Sequence, residues 1–253
     1  MFDGKKIAVV VPAYNEERLI VKAVSLVPDY VDHVIVVDDA STDDTGGALA
    51  SGVTREGLEY LCHEFNRGVG GAIVTGYARG LEIGADVIAV MAGDAQMDPS
   101  ELPVLLKPIV SGVADYAKGD RLSWAGVFRV MPLFRFVGNH VLSVLTRFAS
   151  GYKNVRDSQC GYTAVSAAAL GRLDLEDLYA RYGFPNDILA HLHSVGASLA
   201  QVTVRPIYAQ ECSGISLFTA LVRVPLVLLR SYLCRRRRES HKRRTLLEAA
   251  RRA

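Results

Sequence analysis

Three short polar clusters follow apolar runs in the first hundred residues: Pro12-Ala13-Tyr14-Asn15-Glu16, Asp38-Asp39-Ala40-Ser41 and Gly93-Asp94-Ala95-Gln96-Met97-Asp98. Their shared chemistry is that of oxygen donors. Carboxylates and a carboxamide are hard ligands that suit Mg²⁺ or Mn²⁺ shared with phosphate oxygens. A nucleoside diphosphate held through a metal fits them, because a departing diphosphate needs its developing charge neutralised. Asp94 and Gln96 are candidate metal ligands, Asp39 can accept hydrogen bonds from a base or ribose, and Tyr14 can flank a base. Arg67 and Arg121 can hold phosphates. Helix capping explains any one cluster, since Asp, Asn and Ser accept hydrogen bonds from the first amides of a helix. Capping does not call for two adjacent aspartates at Asp38 and Asp39.

Each cluster ends a stretch of strand character. Lys6–Val11, His33–Val37 and Asp86–Met91 are continuous apolar runs, and Leu58–Cys62 is a weaker one. Apolar residues at helical spacing fill Glu16–Val27, and an Ala/Gly-rich helix is expected from about Gly71 to Ile83. Buried strands alternating with helices define an α/β class with a mostly parallel sheet covered on both faces. Ligands bind at the carboxyl ends of such strands, so the three clusters are expected to build one site. Further on, Tyr162–Ser166 and Ala197–Arg205 read as strands bracketing a helix that starts near Pro185. Met131–Ser150 reads as an amphipathic helix with Arg135, Asn139, Ser143 and Arg147 on one stripe. As a core helix it would leave that stripe in water. As a site helix, its two arginines without an acid would grip an anion.

The composition is globular: 253 residues, half of them hydrophobic, 22% charged and a net charge of +2. That length suits one large α/β domain or two small ones. The four cysteines (Cys62, Cys160, Cys212, Cys234) form no CxxC pair, which argues against a disulfide scaffold or structural zinc and for a reducing compartment. The start MFDGKKIAVVVPAYNEE does not read as a signal peptide. The turn after the first run has no glycine, Gly68-Val69-Gly70-Gly71 is followed by Ile73 where a dinucleotide fingerprint needs its third glycine, and no Walker lysine follows. There is no GxSxG elbow either. Dinucleotide, P-loop and serine-hydrolase chemistries are therefore disfavoured.

Charge is unevenly spread. Of 29 cations and 27 acids, nine cations and two acids fall in 235–253, leaving a body of net −5 under a tail of net +7. Such a tail suits a polyanionic surface, and nothing else in the chain favours nucleic acid. Ser216–Cys234 is apolar but is interrupted by Arg223 and Arg230, and its longest apolar run, Val224–Leu229, is far short of the ~20 residues of a membrane span. With Arg235–Arg238 behind it, it fits a helix lying in a membrane interface. A helix packed on the body, or half of a homo-oligomer contact, is the alternative. The expected organisation is thus a catalytic domain at 1–212, an interfacial helix at 213–234 and a basic tail at 235–253.

Six motifs in order carry a family resemblance: Val10-Val11-Pro12-Ala13-Tyr14-Asn15-Glu16, Val36-Val37-Asp38-Asp39-Ala40-Ser41-Thr42-Asp43, Asn66-Arg67-Gly68-Val69-Gly70-Gly71-Ala72, Gly93-Asp94-Ala95-Gln96, Lys118-Gly119-Asp120-Arg121 and Asp157-Ser158-Gln159-Cys160-Gly161-Tyr162. In this the chain resembles the family 2 glycosyltransferases of GT-A (nucleotide-diphospho-sugar transferase) fold, and among them the dolichyl- or polyprenyl-phosphate sugar transferases. The resemblance implies a nucleotide-sugar site lined by Pro12, Ala13, Tyr14, Glu16, Asp39, Arg67, Asp94, Ala95, Gln96 and Arg121. It implies a metal on Asp94 and Gln96, and an acceptor phosphate met by Arg121, Arg135 and Asn139. Asp94, Asp157 and Arg121 would be the catalytic set, and Ser213 and Ser216 would fall near a loop that closes over the donor.

One departure bears on the metal. The family's Asp-x-Asp becomes Ala92-Gly93-Asp94, which leaves Asp94, Gln96 and the donor diphosphate, with Asp98 as a further oxygen. The implied activity is metal-dependent, inverting transfer from a UDP- or GDP-sugar to a polyprenyl phosphate by a peripheral enzyme on the cytoplasmic membrane face. A phosphate monoester, with its second pKa near ~6, is already anionic at neutral pH, so Asp157 would position rather than deprotonate. A saccharide hydroxyl acceptor would instead need Asp157 as base. A non-catalytic nucleotide-sugar binder is the reading that Ala92 leaves open.

Overall fold

The computed structural model describes residues 1–207 and 224–252; Ser213, Ser216 and the rest of 208–223 lie outside the described residues. The chain runs β1 (Ile7–Ala13), α1 (Ile20–Ser25), β2 (His33–Asp38), α2 (Thr45–Gly52), β3 (Leu58–Cys62), α3 (Val69–Glu82), β4 (Val87–Val90) and α4 (Leu102–Val110). Then follow β5 (Tyr116–Asp120), α5 (Val127–Val130), α6 (Leu133–Ser150), β6 (Thr163–Ser166), α7 (Ala167–Leu170), α8 (Phe184–Ser194), β7 (Leu199–Thr203) and α9 (Val224–Arg252). The strands form one sheet in the order β3-β2-β1-β4-β6-β5-β7. All seven residues of β1 are buried, which is why it reads as an unbroken apolar run. Val9 and Val11 enter one core with Leu102 and Leu105 of α4, while Ala8 and Val10 enter the other with Tyr77 of α3 and Ile188 of α8.

Parallel pairing joins β1 to β2 and β4, β2 to β3, and β5 to β7. β6 alone is reversed, antiparallel to both β4 and β5. Its amino end therefore shares an edge with the carboxyl ends of β1, β2, β4 and β5. The loop entering β6 thus meets the loops leaving the other four.

α6 is the first surprise. Its buried residues are Ser143, Thr146, Ala149 and Ser150, while Phe134 (75% exposed), Phe148 (71%), Leu133, Val137, Val141 and Leu145 face outward. The helix is amphipathic, as expected, but its polar stripe faces the body rather than water. Ser143 Oγ accepts from Ser158 N–H at 3.0 Å, Thr146 Oγ1 donates to Asn186 Oδ1 at 2.8 Å and Arg147 Nε donates to Val155 O at 2.6 Å. These partners add to a thin apolar contact, in which Phe136 packs against Leu122, Val127 and Met131, and Ala149 and Leu142 against Leu228.

α9 is one continuous helix across the expected helix–tail boundary at 234/235. It docks through a narrow apolar strip, Val227 and Leu228, and through polar contacts. Ser231 Oγ donates to the fully buried Asp187 at 2.5 Å, and Arg238 Nη2 donates to Asp177 Oδ2 at 2.6 Å. Arg235 Nε donates to Ala149 O at 3.0 Å. Two of the four consecutive arginines, Arg235 and Arg238, are therefore engaged with the body.

This latch is expected to titrate. Arg238 Nη1 lies 3.1 Å from His191 Nδ1 and can only donate, so the ring is neutral with its proton on Nε2, 3.5 Å from Asp187. Burial, aided by Arg238 and Arg230 and opposed by Asp187 and Asp177, holds His191 below its ordinary pKa. The fold favours the uncharged ring. Its contribution is complete above the unfolded value near ~6.5 and is lost as pH falls through the lower folded value. Amide exchange in 227–238 should accelerate below about pH 6.5, and His191→Gln should flatten that dependence. Exchange that is independent of pH in the wild type, once intrinsic rates are removed, would rule the latch out.

Candidate active site

The strand ends at the shared edge are strained in the same way. Asn15, Ala40 and Ala95 follow β1, β2 and β4 and take φ of 57°, 62° and 55°, a left-handed conformation costing about 1–2 kcal/mol in a residue with a Cβ. Clasping contacts hold the first two. Asn15 N–H donates to Ser41 Oγ at 2.9 Å, Thr42 N–H to Asn15 Oδ1 at 2.8 Å and Ser41 N–H to Asp38 Oδ1 at 2.7 Å. Pro12 and Ala13 are buried, and their carbonyls accept from Gly93 N–H at 3.2 Å and Asp39 N–H at 2.9 Å. They form the floor of the edge. Tyr14 is half exposed above it, and Glu16 N–H is fixed by Thr45 Oγ1 at 2.9 Å.

Asp39 is turned into the protein. Oδ1 accepts from Arg67 N–H at 2.8 Å and lies 2.7 Å from His63 Nδ1, while Oδ2 accepts from Gly68 N–H at 2.7 Å. His63 Nε2 continues to Thr75 Oγ1 at 2.9 Å. The carboxylate that the sequence assigns to base or ribose is thus engaged in shaping the Asn66–Gly68 turn, where Gly68 has a φ of 92° that suits glycine. It presents Arg67, which is exposed, at the entry to α3. His63 and Thr75 were not legible as site residues, because no motif or spacing marks them.

Around Asp94, Oδ1 accepts from Gln96 N–H at 3.0 Å, a turn that keeps both side chains on the strand end. Asp98 does something else: its Oδ1 caps the turn Pro99–Glu101, accepting from Ser100 N–H at 2.9 Å and Ser100 Oγ at 2.7 Å. No group of three His, Cys, Asp or Glu side chains with metal spacing occurs among the described residues. Asp94 and Gln96 offer one carboxylate and one amide oxygen. That donor set fits an oxygen-seeking divalent cation whose remaining ligands come from phosphate and water.

The other side of the edge, where the resemblance expects the acceptor, is built by the reversed strand. Asp157, fully buried in the loop entering β6, accepts from Arg121 Nε at 2.8 Å, Nη2 at 3.1 Å and N–H at 3.2 Å, and from the amides of Gln159 and Cys160 at 3.1 Å each. Burial opposes its ionisation, but the Arg121 charge and these donors outweigh burial and hold its pKa below the ordinary carboxylate value. The preceding residues cross over: Arg156 Nε pairs with Asp120 Oδ2 at 2.9 Å. Beneath them Lys118, fully buried with its pKa lowered by burial, donates to Cys160 O. Arg135 and Asn139 are half-buried on α6, which is tied to this loop by the Ser143–Ser158 contact. The edge therefore has one half at β1, β2 and β4, where the sequence expects the sugar donor, and a cation-bearing half at β5, β6 and α6, where it expects the acceptor.

Comparison with known proteins places this arrangement. A family model described as Glycosyl transferase family 2 matches residues 8–174. The UDP-N-acetylglucosamine–dolichyl-phosphate N-acetylglucosaminyltransferase of Methanococcus voltae is 31% identical over 220 residues, covering 81% of this chain and 87% of that protein. The polyprenol monophosphomannose synthase of Mycolicibacterium smegmatis is 31% identical over 227 residues, covering 85% and 84%. Among solved structures, glucosyl-3-phosphoglycerate synthase from Mycobacterium tuberculosis, in complex with Mn²⁺, UDP and glucosyl-3-phosphoglycerate, superposes with a TM-score of 0.67 at 23% identity. That match covers 90% of this chain and 80% of the other, and it shows the shared GT-A fold. The strand-end clusters, their order and the sheet that gathers them are those of glycosyl transferase family 2, and the chain belongs to that family.

Proposed function

We propose that the protein transfers a sugar, with inversion, from a UDP- or GDP-sugar to the phosphate of a polyprenyl lipid at the cytoplasmic face of a membrane. The state of Asp157 carries this reading. A carboxylate that is buried, bound by five N–H donors and held below its ordinary pKa is no general base. A phosphate monoester needs none, being already anionic at neutral pH. The names of the Methanococcus and Mycolicibacterium relatives support a lipid-phosphate acceptor.

Residue roles follow. Tyr14 and Glu16 flank the nucleotide, Arg67 and Arg121 face its phosphates, and Asp157 fixes the Arg121 guanidinium in plane by its two-point contact. Asp94 and Gln96 would hold the Mg²⁺ or Mn²⁺, which when bound neutralises charge on the departing diphosphate. Arg135 and Asn139 receive the acceptor phosphate and present its oxygen in line with the anomeric carbon.

Incubation with Mn²⁺ or Mg²⁺, polyprenyl phosphate and a panel of UDP- and GDP-sugars should yield a glycolipid that EDTA abolishes. Arg135→Ala should raise the acceptor KM about tenfold or more and leave the donor KM near wild type, as expected for loss of one charged contact. Donor binding without any glycolipid would move the reading to another acceptor.

A further inference from the structure

Among the polar side chains that the roles above leave unused, His63 is wired directly to the strand ends. It follows β3, and its N–H donates to Asp38 O at 2.9 Å, which fixes its backbone beside the end of β2. Its side chain, only 9% exposed, reaches Asp39 Oδ1 through Nδ1 at 2.7 Å and Thr75 Oγ1 through Nε2 at 2.9 Å. One ring thus joins the ends of β2 and β3 to the second turn of α3.

The hydrogen bonds of Asp39 can be counted. An ionised carboxylate has about four lone-pair sites and no proton to give. Oδ1 takes Arg67 N–H and His63 Nδ1–H, and Oδ2 takes Gly68 N–H, which fills three of them among the described residues. Oδ1 is complete, and one site remains on Oδ2. Because Asp39 only accepts, Nδ1 carries the ring proton, and Nε2 is left to accept from the Thr75 hydroxyl. Thr75 thereby selects the tautomer that Asp39 needs.

We propose that His63 is a positioning residue of the nucleotide site, with Thr75 fixing its tautomer. The ring saturates Asp39 Oδ1 and leaves Oδ2 as the single acceptor for the nucleoside, which donates from an N–H of the base or an O–H of the ribose. The proposal rests on the strand ends being a nucleotide-sugar site, as given above. Its physical content is a choice between two oxygens. Without the ring, Oδ1 lacks a partner, and the carboxylate, its side chain 4% exposed, is held by two backbone amides alone. It then turns to share an incoming donor between both oxygens, and the nucleoside loses a fixed partner. Arg67 feels the same change, because its own N–H is one of those two amides.

Two carboxamides separate this role from the filling of space. Asn carries its NH₂ as many bonds from Cβ as Nδ1 is in histidine, and Gln carries it where Nε2 stands. Gln and Leu are nearer to histidine in size. His63→Asn should therefore bind nucleotide within about threefold of wild type, whereas His63→Gln and His63→Leu should bind it about tenfold or more weakly. Calorimetry of the full chain with UDP and with GDP, each with Mn²⁺, reads this, and melting curves show that each variant is folded. In steady state the donor KM should rise more than the acceptor KM. Thr75→Val should weaken nucleotide binding on its own and add nothing in His63→Leu, because the hydroxyl acts through the ring. Wild-type affinity in His63→Leu would overturn the proposal, as would Gln or Leu variants that bind as well as Asn, or an added loss from Thr75→Val in His63→Leu. A wild type that binds neither nucleotide would bring down this inference together with the donor assigned above. Glycolipid formation with normal nucleotide binding in every His63 variant would sink this inference alone. The expected order of affinities in a protein that makes no glycolipid would refute the proposed function and leave the role of His63 standing.

Discussion

Arg121→Lys is expected to lower turnover by about 10²–10³-fold while the protein still folds, the scale seen when one aligned donor is removed from a reacting charge. Lysine keeps the positive charge near Asp157. It cannot reproduce the two-point grip of Nε and Nη2 on the carboxylate, nor keep a planar guanidinium aimed at a phosphate. Arg121→Ala should be worse in a different way: it leaves Asp157 fully buried with its charge partner gone, a loss of about 3–5 kcal/mol that should appear in the melting temperature. Steady-state kinetics with both substrates, alongside thermal melts, separate the two effects. Arg121→Lys at wild-type turnover would remove Arg121 from the catalytic set and leave the pair a structural one. Asp157→Asn in combination with Arg121→Lys should cost much less than the sum of the single losses, because the two side chains act as one unit.

Asp94→Asn should reduce transfer by about 10³-fold or more at saturating Mg²⁺ or Mn²⁺. The substitution preserves an oxygen to accept from Gln96 N–H, so the strand-end turn and the melting temperature should survive. What it removes is the negative charge at the head of a thin donor set. Ala92 stands in place of a second acid, and Asp98 Oδ1 is engaged with Ser100. The loss should also appear without turnover, as a weaker Mn²⁺-dependence of UDP binding by calorimetry. Full activity in Asp94→Asn would sink the assignment of the metal to this pair.

The donor half was legible because its strands are buried on both faces and therefore spell themselves in apolar runs, with polar clusters at their ends. β5 was missed as a strand. It reads Tyr-Ala-Lys-Gly-Asp yet is wholly buried: Lys118 donates to Cys160 O and Asp120 forms an ion pair with Arg156, partners some forty residues away. No local pattern reports a compensation made at that distance. The register of α6 was legible and its direction was not: periodicity separates an apolar from a polar face but cannot say which one meets the body. Asp39 was legible as chemistry, but its protein partners were not, since His63 and the Arg67 and Gly68 amides converge on it only in three dimensions.

The reversed strand also sets an order of assembly. Contacts that clasp the donor half are close in the chain, as with Asn15 and Ser41 at 26 residues apart. The contact that ties the start of β5 to β7 bridges a far longer span, Asp115 to Ser198 at 83. Closing a longer loop costs more chain entropy before any contact repays it. In a chain emerging from the ribosome the clasp between the β1 and β2 turns can therefore form within the first fifty residues, whereas β5 waits for β7 to be locked in place. The turns after β1 and β2 are shaped first, and the far edge of the sheet last.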